Sequence, residues 1–216
     1  MSEATATTAP TATSRAPRRR RTGWQLVAHW IGIGCLMLAA GFGGYVAWLL
    51  WGTGLTTQRA QADLRQGFGA VVDSKPPSDA VPVALGGRYA EIQIPAIDVD
   101  MMVVQGTAYE DLKLGPGHYP DTADPWDRTG RVGIAGHRTT YLHPFFNLDQ
   151  VRTGDTITLR TEYGTFTYRV DRDPFVVQEA GSGAVLHQTP RATLVLTTCN
   201  PKYQSYERLI VTAIRV

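Results

Sequence analysis

The chain has 216 residues, of which 43% are hydrophobic and 19% are charged, and its formal net charge is +2. Five arginines and one glutamate give residues 1–23 a net charge of +4, which leaves −2 for the rest of the chain. The positive charge thus belongs to the tail, which excludes a nucleic-acid-binding protein with a generally basic surface. Two cysteines, Cys35 and Cys199, are too few for a disulfide-dense scaffold or a four-thiolate zinc site.

The first predicted elements are a disordered basic tail, residues 1–23, and a transmembrane helix, residues 24–51. The Ala, Thr, Ser and Pro content of the tail provides too little apolar surface to order it. Residues 24–51 contain no Asp, Glu, Lys or Arg, and about 20 residues suffice to cross the hydrocarbon core of a membrane. The stretch is too long for the ~7–15-residue apolar region of a cleavable signal peptide. Because Arg18–Arg21 precede it, the positive-inside rule predicts a single-pass protein with a cytoplasmic N-terminus and an extracytoplasmic C-terminal part.

Residues 52–87 are predicted to form a linker, and residues 88–216 a folded β domain. The linker starts with a short polar helix over Thr56–Ala70 and continues as a segment broken by proline and glycine. Short alternating or β-branched runs between turn residues then predict seven strands, over Tyr89–Ile94, Met101–Gln105, Val132–Ala135, Thr156–Arg160, Thr165–Val170, Thr193–Thr198 and Leu209–Ile214. Seven or eight short strands in about 130 residues predict a closed barrel or a sandwich.

The one thiol of the predicted exported part closes one of these strands. Cys199 is followed directly by Asn200-Pro201, and the next strand begins at Arg208 after a short polar loop. Two successive strands joined in this way predict an antiparallel hairpin, so that Cys199 and Arg208 flank the same loop. A guanidinium there can lie near the sulfur, or near an oxyanion formed on the group that the sulfur attacks. Taken singly, the two residues also fit simpler interpretations, a small buried hydrophobe and a surface arginine.

His137 is the histidine best placed for chemistry. It ends a predicted strand in which Gly133, Ala135 and Gly136 allow close approach of the backbone. An ordinary pKa of ~6.5 lets a histidine act as acid or base near neutral pH. A structural or surface role is the commoner interpretation of a single histidine. No HExxH or paired CxxC spacing is present, so we expect neither a metal nor another cofactor.

Taken together, these segments resemble a known family. The string GRVGIAGHRTTYLHPFFNLDQVRTGDTITLRTEYGTFTYRV, followed by TLVLTTCNP and YERLIV, is similar to the sortases of Gram-positive bacteria. Upstream, IQIPAIDVDMMVVQGT and LKLGPGHYPDT match the opening strands of that family. The resemblance covers residues 88–216 and implies an eight-stranded β-barrel with short helices, here preceded by one transmembrane helix. It also implies a cysteine transpeptidase whose catalytic residues fall on His137, Cys199 and Arg208.

The resemblance further implies the substrates. A sortase cleaves the C-terminal sorting signal of an exported protein, LAXTG-like or LPXTG-like, between threonine and glycine through a thioacyl-enzyme. The threonine carbonyl is then joined to an amine of a peptidoglycan precursor or of a pilin lysine. GHRTTY and LTTCNP are most similar to class E and next to class D, although Asn200 replaces the histidine expected after the cysteine in many class E members. Tyr141 is the candidate for accepting the alanine of the signal, and Thr198 for a hydroxyl or amide near the oxyanion.

Several other interpretations compete with this one. An L,D-transpeptidase needs an arginine close behind its cysteine, whereas Arg208 lies nine positions after Cys199. A papain-like protease would need a local cysteine motif that is absent here. A pilus-polymerising sortase stays open, although Asp73–Val83 lacks the aromatic plug of a usual lid. A membrane-tethered β domain that binds cell-wall polymers without catalysis also stays open, and the combined cysteine, histidine and arginine disfavour it.

Overall fold

The computed structural model describes residues 23–48, 52–68 and 83–216. Helix α1 spans Gly23–Ala47, carries no charged side chain and has no buried residue. Among the described residues it is the one helix long and apolar enough to cross a membrane. The helix covers most of the span predicted over residues 24–51. Residues 49–51, and the predicted tail up to residue 22, lie outside the described residues.

Residues 83–216 are mainly β structure. The nine strands are β1 Arg88–Ile94, β2 Val99–Gln105, β3 Gly117–His118, β4 Gly130–Ala135, β5 Thr156–Thr161, β6 Gly164–Val170, β7 Phe175–Gln178, β8 Ala192–Asn200 and β9 Glu207–Arg215. The helices that accompany them are short: α3 Tyr109–Leu112 and the 3₁₀ helices Pro95–Ile97, Leu148–Gln150 and Glu179–Leu186. A longer helix, α2 Thr53–Arg65, precedes the first strand.

Eight of the nine strands close into a barrel. Around the barrel the order is β1, β2, β3, β4, β8, β9, β6 and β5, and β5 pairs back with β1. The β2–β3 and β4–β8 pairs are parallel, and the other pairs are antiparallel. Strand β7 stands outside this ring, because it pairs with the first half of β9 while β6 pairs with the last residues of β9. The predicted eight-stranded barrel is confirmed.

The seven predicted strands all lie within two residues of the observed bounds, whereas β3 and β7 are absent from the prediction. Strand β3 has only two residues, Gly117 and His118, and it exists through its pairing with β2 on one side and β4 on the other. Two residues carry no periodicity of their own. Such a strand is defined by its neighbours, which a local pattern does not contain.

The barrel interior is filled by apolar side chains from every long strand. The largest fully buried ones in this core include Ile92, Ile134, Phe145, Leu159, Tyr168 and Leu196. Burial of one such side chain stabilises a fold by about 1.5–3 kcal/mol. Side chains alternate along a strand, so Leu194 and Leu196 of β8 join this core, while Thr197 and Cys199 project from the other face. The alternation leaves the thiol outside the core.

Helix α2 packs on the barrel although its sequence is polar. The Thr57 hydroxyl donates to the carbonyl of Lys113 at 2.7 Å. The Gln61 amide donates to the carbonyls of Met102 and Leu114 at 2.9 and 2.8 Å, and its oxygen accepts from the Met102 amide at 2.7 Å. Thr57 and Gln61 are both buried. Part of the predicted linker over residues 52–87 therefore contacts β2, and the predicted domain boundaries stay predictions.

Candidate active site

Three strand ends meet at one edge of the barrel. Strands β4 and β8 are parallel, with Ala135 opposite Thr197, so His137 and Cys199 each lie two residues beyond that pair. Strand β9 is antiparallel to β8, and Arg208 is the register partner of Cys199. Directly opposed residues of an antiparallel pair project from the same face. The fold thus brings the three predicted catalytic residues side by side along one edge.

Close packing of the backbone holds the chain just before His137 against β8. The Gly136 amide donates to the Thr197 carbonyl at 3.1 Å. The Thr198 hydroxyl donates back to the Gly136 carbonyl at 2.7 Å. A Cβ at Gly136 would lie 2.6 Å from the ring of Phe145, so only glycine fits there. The small residue before His137 is thereby required by packing.

His137 is partly buried and incompletely partnered. Burial lowers the pKa of its imidazole below the usual 6.5. The Nε2 atom is buried and has no hydrogen-bond partner among the described residues. A buried polar atom without a partner costs free energy, and such atoms are rare in folded proteins. The imidazole thus favours its neutral form, and its Nε2 atom has an unused capacity for hydrogen bonding.

Two tyrosines stand against the His137 ring. The Tyr141 ring centroid is 4.9 Å from that of His137, and the Tyr109 ring lies edge-on at 6.5 Å. The two tyrosine hydroxyls share a hydrogen bond of 2.9 Å, which is the main cause that raises the pKa of Tyr141 to about 12. Tyr141 has a left-handed φ of 53°, as do Leu142 and His143 at 61° and 39°. Such conformations are costly for residues other than glycine and cluster at functional sites.

Arg208 is oriented by contacts on the β7 side of the barrel edge. Its guanidinium forms an ion pair with Glu179, the first residue of the 3₁₀ helix Glu179–Leu186. It also donates to the Ser205 carbonyl at 2.6 Å. Cys199 is a free thiol of intermediate exposure, and Cys35 of α1 is free as well. The thiol is thus accessible and has a cation on the opposed strand.

The site contains residues that the sequence did not indicate. Arg138 is 4% exposed and donates to the side-chain oxygen of Asn200 at 2.6 Å and to the Cys199 carbonyl at 3.3 Å. The other end of its guanidinium forms a 3.1 Å ion pair with Asp149. The one sequence signal for Arg138 is its place directly after His137. Tyr109 and Glu179 carry no comparable signal, because their contacts cross 28 or more residues of chain.

The structure also locates the two predicted substrate-binding residues. Tyr141 lies beside His137, as described above. Thr198 is buried and its hydroxyl is engaged by the Gly136 carbonyl, on the face of β8 opposite to Cys199. The roles of both residues stay predictions. Among the described residues, no group of three or more His, Cys, Asp or Glu side chains is arranged to hold a metal ion.

Comparison with known proteins places this arrangement in a family. The family described as "Sortase domain" matches residues 92–216. "Sortase D" of Bacillus subtilis is 34% identical over 110 residues, which cover 51% of this chain and 53% of that protein. "Sortase SrtE1" of Streptomyces coelicolor is 29% identical over an alignment that covers 91% of this chain and 60% of that protein. The alignments thus span about half to three-fifths of these curated relatives.

A solved structure agrees with these matches. The crystal structure of Sortase E1 from Streptomyces coelicolor, which has a tripeptide in its active site, has a TM-score of 0.57 and is 30% identical to this chain. The match covers 62% of this chain and 91% of that one.

Proposed function

Because the chain belongs to the sortase family of cysteine transpeptidases, we propose that it cleaves a sorting signal between threonine and glycine and transfers the threonine carbonyl to a cell-wall amine. The observation that carries the proposal is the register of β4, β8 and β9, which aligns His137, Cys199 and Arg208 at one edge. Each residue type supplies one of three needs of acyl transfer. These needs are a nucleophile, a proton carrier and a cation for developing charge.

In the first half-reaction, Cys199 loses its proton to His137 and its sulfur adds to the threonine carbonyl carbon. The tetrahedral intermediate collapses when the bond to the glycine nitrogen breaks, and His137 returns the proton to that nitrogen. The product is a thioester between Cys199 and threonine, and the glycine amine leaves. The lowered pKa of His137 supports this role, because a neutral imidazole can accept the thiol proton.

In the second half-reaction, an amine attacks the thioester and gives its excess proton to His137. The carbon–sulfur bond breaks, and the proton returns to the Cys199 sulfur. Arg208 cannot act as a base, since guanidinium stays protonated in proteins. Its proposed task is to stabilise the oxyanion of each tetrahedral intermediate, a contribution that is typically about 10²–10³ in rate.

The finer specificity is also a proposal. The similarity to Sortase SrtE1 and to the Sortase E1 structure with a bound tripeptide supports a peptide signal of the LAXTG type, with Tyr141 beside the alanine. The amine would come from a peptidoglycan precursor. A pilin lysine is the other acceptor, and the two are distinguished by offering both to one acyl-enzyme.

The experiment uses the full chain in detergent micelles with LAXTG-like and LPXTG-like peptides and several amines. We expect the wild-type chain to form an acyl-enzyme, seen as an intact-mass increase, and to prefer the LAXTG-like peptide. Cys199→Ala should form none, and His137→Ala and Arg208→Ala should form it far more slowly. His187→Ala is the matched histidine control and should behave as wild type. An acyl-enzyme on Cys199→Ala would refute the assignment.

We further propose that α1 anchors the protein with its N-terminus in the cytoplasm. The run of 25 residues without a charge and the arginines before it support this orientation. A reporter enzyme that is active only outside the cytoplasm, fused after Val216, should be active. Activity of a cytoplasm-specific reporter at the same position would reverse the proposed orientation.

A further inference from the structure

The strongest unassigned feature of the molecule is the buried guanidinium of Arg138. Its side chain is 4% exposed, although it lies at the rim of the barrel. Its three partners belong to two separate segments of chain: Asp149 in the 3₁₀ helix Leu148–Gln150, and Cys199 and Asn200 at the end of β8. The backbone of Arg138 directly continues that of His137. One cation therefore connects the chain that carries the histidine to the chain that carries the thiol.

The connection continues to the strand that carries Arg208. The Asn200 side chain accepts from Arg138 through its oxygen and donates through its nitrogen to Glu207 at 2.8 Å. Asn200 and Glu207 are register partners, directly beside the pair formed by Cys199 and Arg208. With both ends of its amide in use, Asn200 has one orientation. The result is a chain of polar contacts from Asp149 through Arg138 and Asn200 to Glu207. Its last three members are the sequence neighbours of the three catalytic candidates.

Stability does not explain this arrangement well. The Arg138 side chain is 4% exposed, whereas its partner Asp149 is 44% exposed. Removing the guanidinium from water therefore costs free energy that its attraction to a partly solvated carboxylate offsets only in part. Here the Arg138 Nε atom is also buried without a hydrogen-bond partner among the described residues. An apolar side chain of similar volume would fill the space without that cost. What the guanidinium adds is direction, since its planar set of donors fixes the partners at defined angles.

We propose that Arg138 is a positioning residue that holds His137 and Cys199 in the geometry required for acyl transfer, with Asn200 as the intermediate contact. The inference rests on the proposed function of the three catalytic candidates. Arg138 is covered, so it does not touch the peptide and acts on the reaction through Cys199 and His137.

Two substitutions separate geometry from charge. Arg138→Met should lower kcat by about 10–100-fold, the typical cost of a small displacement of reacting groups, with KM within about threefold. The rate at which iodoacetamide alkylates Cys199 should stay near that of wild type, because the packing around the thiol is retained. Arg138→Lys keeps the charge but cannot bind Asn200 and Asp149 together. It should lower kcat while the alkylation rate stays near that of wild type.

The measurement uses the full chain in micelles, and peptide-level mass spectrometry separates Cys199 from the exposed Cys35. Arg160→Met is the matched control, because Arg160 forms an ion pair with Glu91 on β1 and contacts none of these residues. Loosening of the fold alone would speed alkylation of Cys199, and this outcome would overturn the proposal. So would a kcat of Arg138→Met within twofold of wild type.

A double substitution tests the path through Asn200. If Asn200 transmits the effect, Arg138→Met combined with Asn200→Ala should lower kcat no further than Arg138→Met alone. Fully additive losses would contradict that path. Failure of the proposed function gives a different result from failure of this inference. If the proposed function is wrong, the wild-type chain itself forms no acyl-enzyme. If only this inference is wrong, the wild-type chain is active and the Arg138 variants keep its kcat.

Discussion

Two histidines, one buried in β3 and one partly buried just beyond the neighbouring strand β4, have opposite environments. His118 of β3 is 1% exposed, stacks on Tyr89 at 4.1 Å between ring centroids, and lies 2.9 Å from the Gln105 oxygen and 3.0 Å from the Thr122 hydroxyl. His137, just beyond the end of β4, has a buried Nε2 atom with no partner among the described residues. In both, burial lowers the imidazole pKa, for His118 to about 4.

The difference shows that a lowered pKa alone does not mark a reactive histidine. Around His118 the surrounding groups satisfy the ring, so protonation can only disturb the core. At the edge of the barrel, the Nε2 atom of His137 has no hydrogen-bond partner among the described residues. Hydrogen-bond partners, rather than burial, distinguish the structural histidine His118 from His137, for which we propose a role in proton transfer.

The largest expected effect concerns His137. His137→Gln removes the proton carrier and should lower the rate of acyl-enzyme formation by about 10²–10⁴-fold. The melting temperature should stay near that of wild type, because no hydrogen bond of the Nε2 atom is lost. Single-turnover mass spectrometry and thermal denaturation measure the two effects. A large fall in melting temperature would instead show that His137 stabilises the fold, as His118 does.

The next prediction concerns Arg208, which lies at the same edge of the barrel on β9. Arg208→Gln keeps a hydrogen-bond donor but removes the charge, and we expect a loss of about 10²–10³ in kcat. Glu179→Gln, which leaves Arg208 in place and neutralises its ion-pair partner, should have a smaller effect. The comparison is made by steady-state peptide cleavage. A greater loss in Glu179→Gln than in Arg208→Gln would contradict the role of the guanidinium.

His118 should govern stability in acid. The folded protein disfavours the charged imidazole, so the unfolded chain binds more protons below pH 6.5. Stability should therefore fall as the pH drops from about 6.5 to about 4, by up to about 3 kcal/mol in total. Chemical denaturation at several pH values measures this fall.

The Tyr89 hydroxyl contacts His118 and donates to Asp124. Burial raises the pKa of the Asp124 carboxyl, which changes the stability in the opposite direction as the pH falls. His118→Gln provides the comparison, because it removes the titrating ring. The variant should be less stable at neutral pH, but its stability should change little between pH 6.5 and 5. An unchanged pH dependence would show that another group is responsible.

The smallest expected effect concerns the tyrosine pair. Tyr109→Phe removes the 2.9 Å bond to the Tyr141 hydroxyl and keeps the ring against His137. Tyr109 is 61% exposed, so we expect a loss of about 2–10-fold in kcat/KM, the range of one hydrogen bond. Steady-state cleavage of the LAXTG-like peptide measures it. A loss near that of His137→Gln would mean that the pair acts in the chemistry itself.

Much of the fold and of the candidate site could be predicted from local patterns. Alternation along the strand that ends at Cys199 predicts which face the thiol occupies, and the short loop before Arg208 predicts the hairpin that opposes them. The predicted span depends on the absence of charges over residues 24–51, which is equally local. Each of these features depends on a few neighbouring residues or on one hairpin, so a local sequence pattern is sufficient to predict it.

The tertiary structure alone decided which polar groups surround the site. The contacts of Arg138 with Asn200, of Glu179 with Arg208 and of Gln61 with Met102 join residues 62, 29 and 41 positions apart. They exist because β4 pairs with β8, β7 pairs with β9 and α2 packs on β2, and none of these long-range contacts leaves a periodic signal in the sequence. The sequence by itself determined the long apolar segment, seven of the nine strands and the three candidate catalytic residues. Only the tertiary structure decided that the ring of His118 is hydrogen-bonded, while the Nε2 atom of His137 has no partner among the described residues.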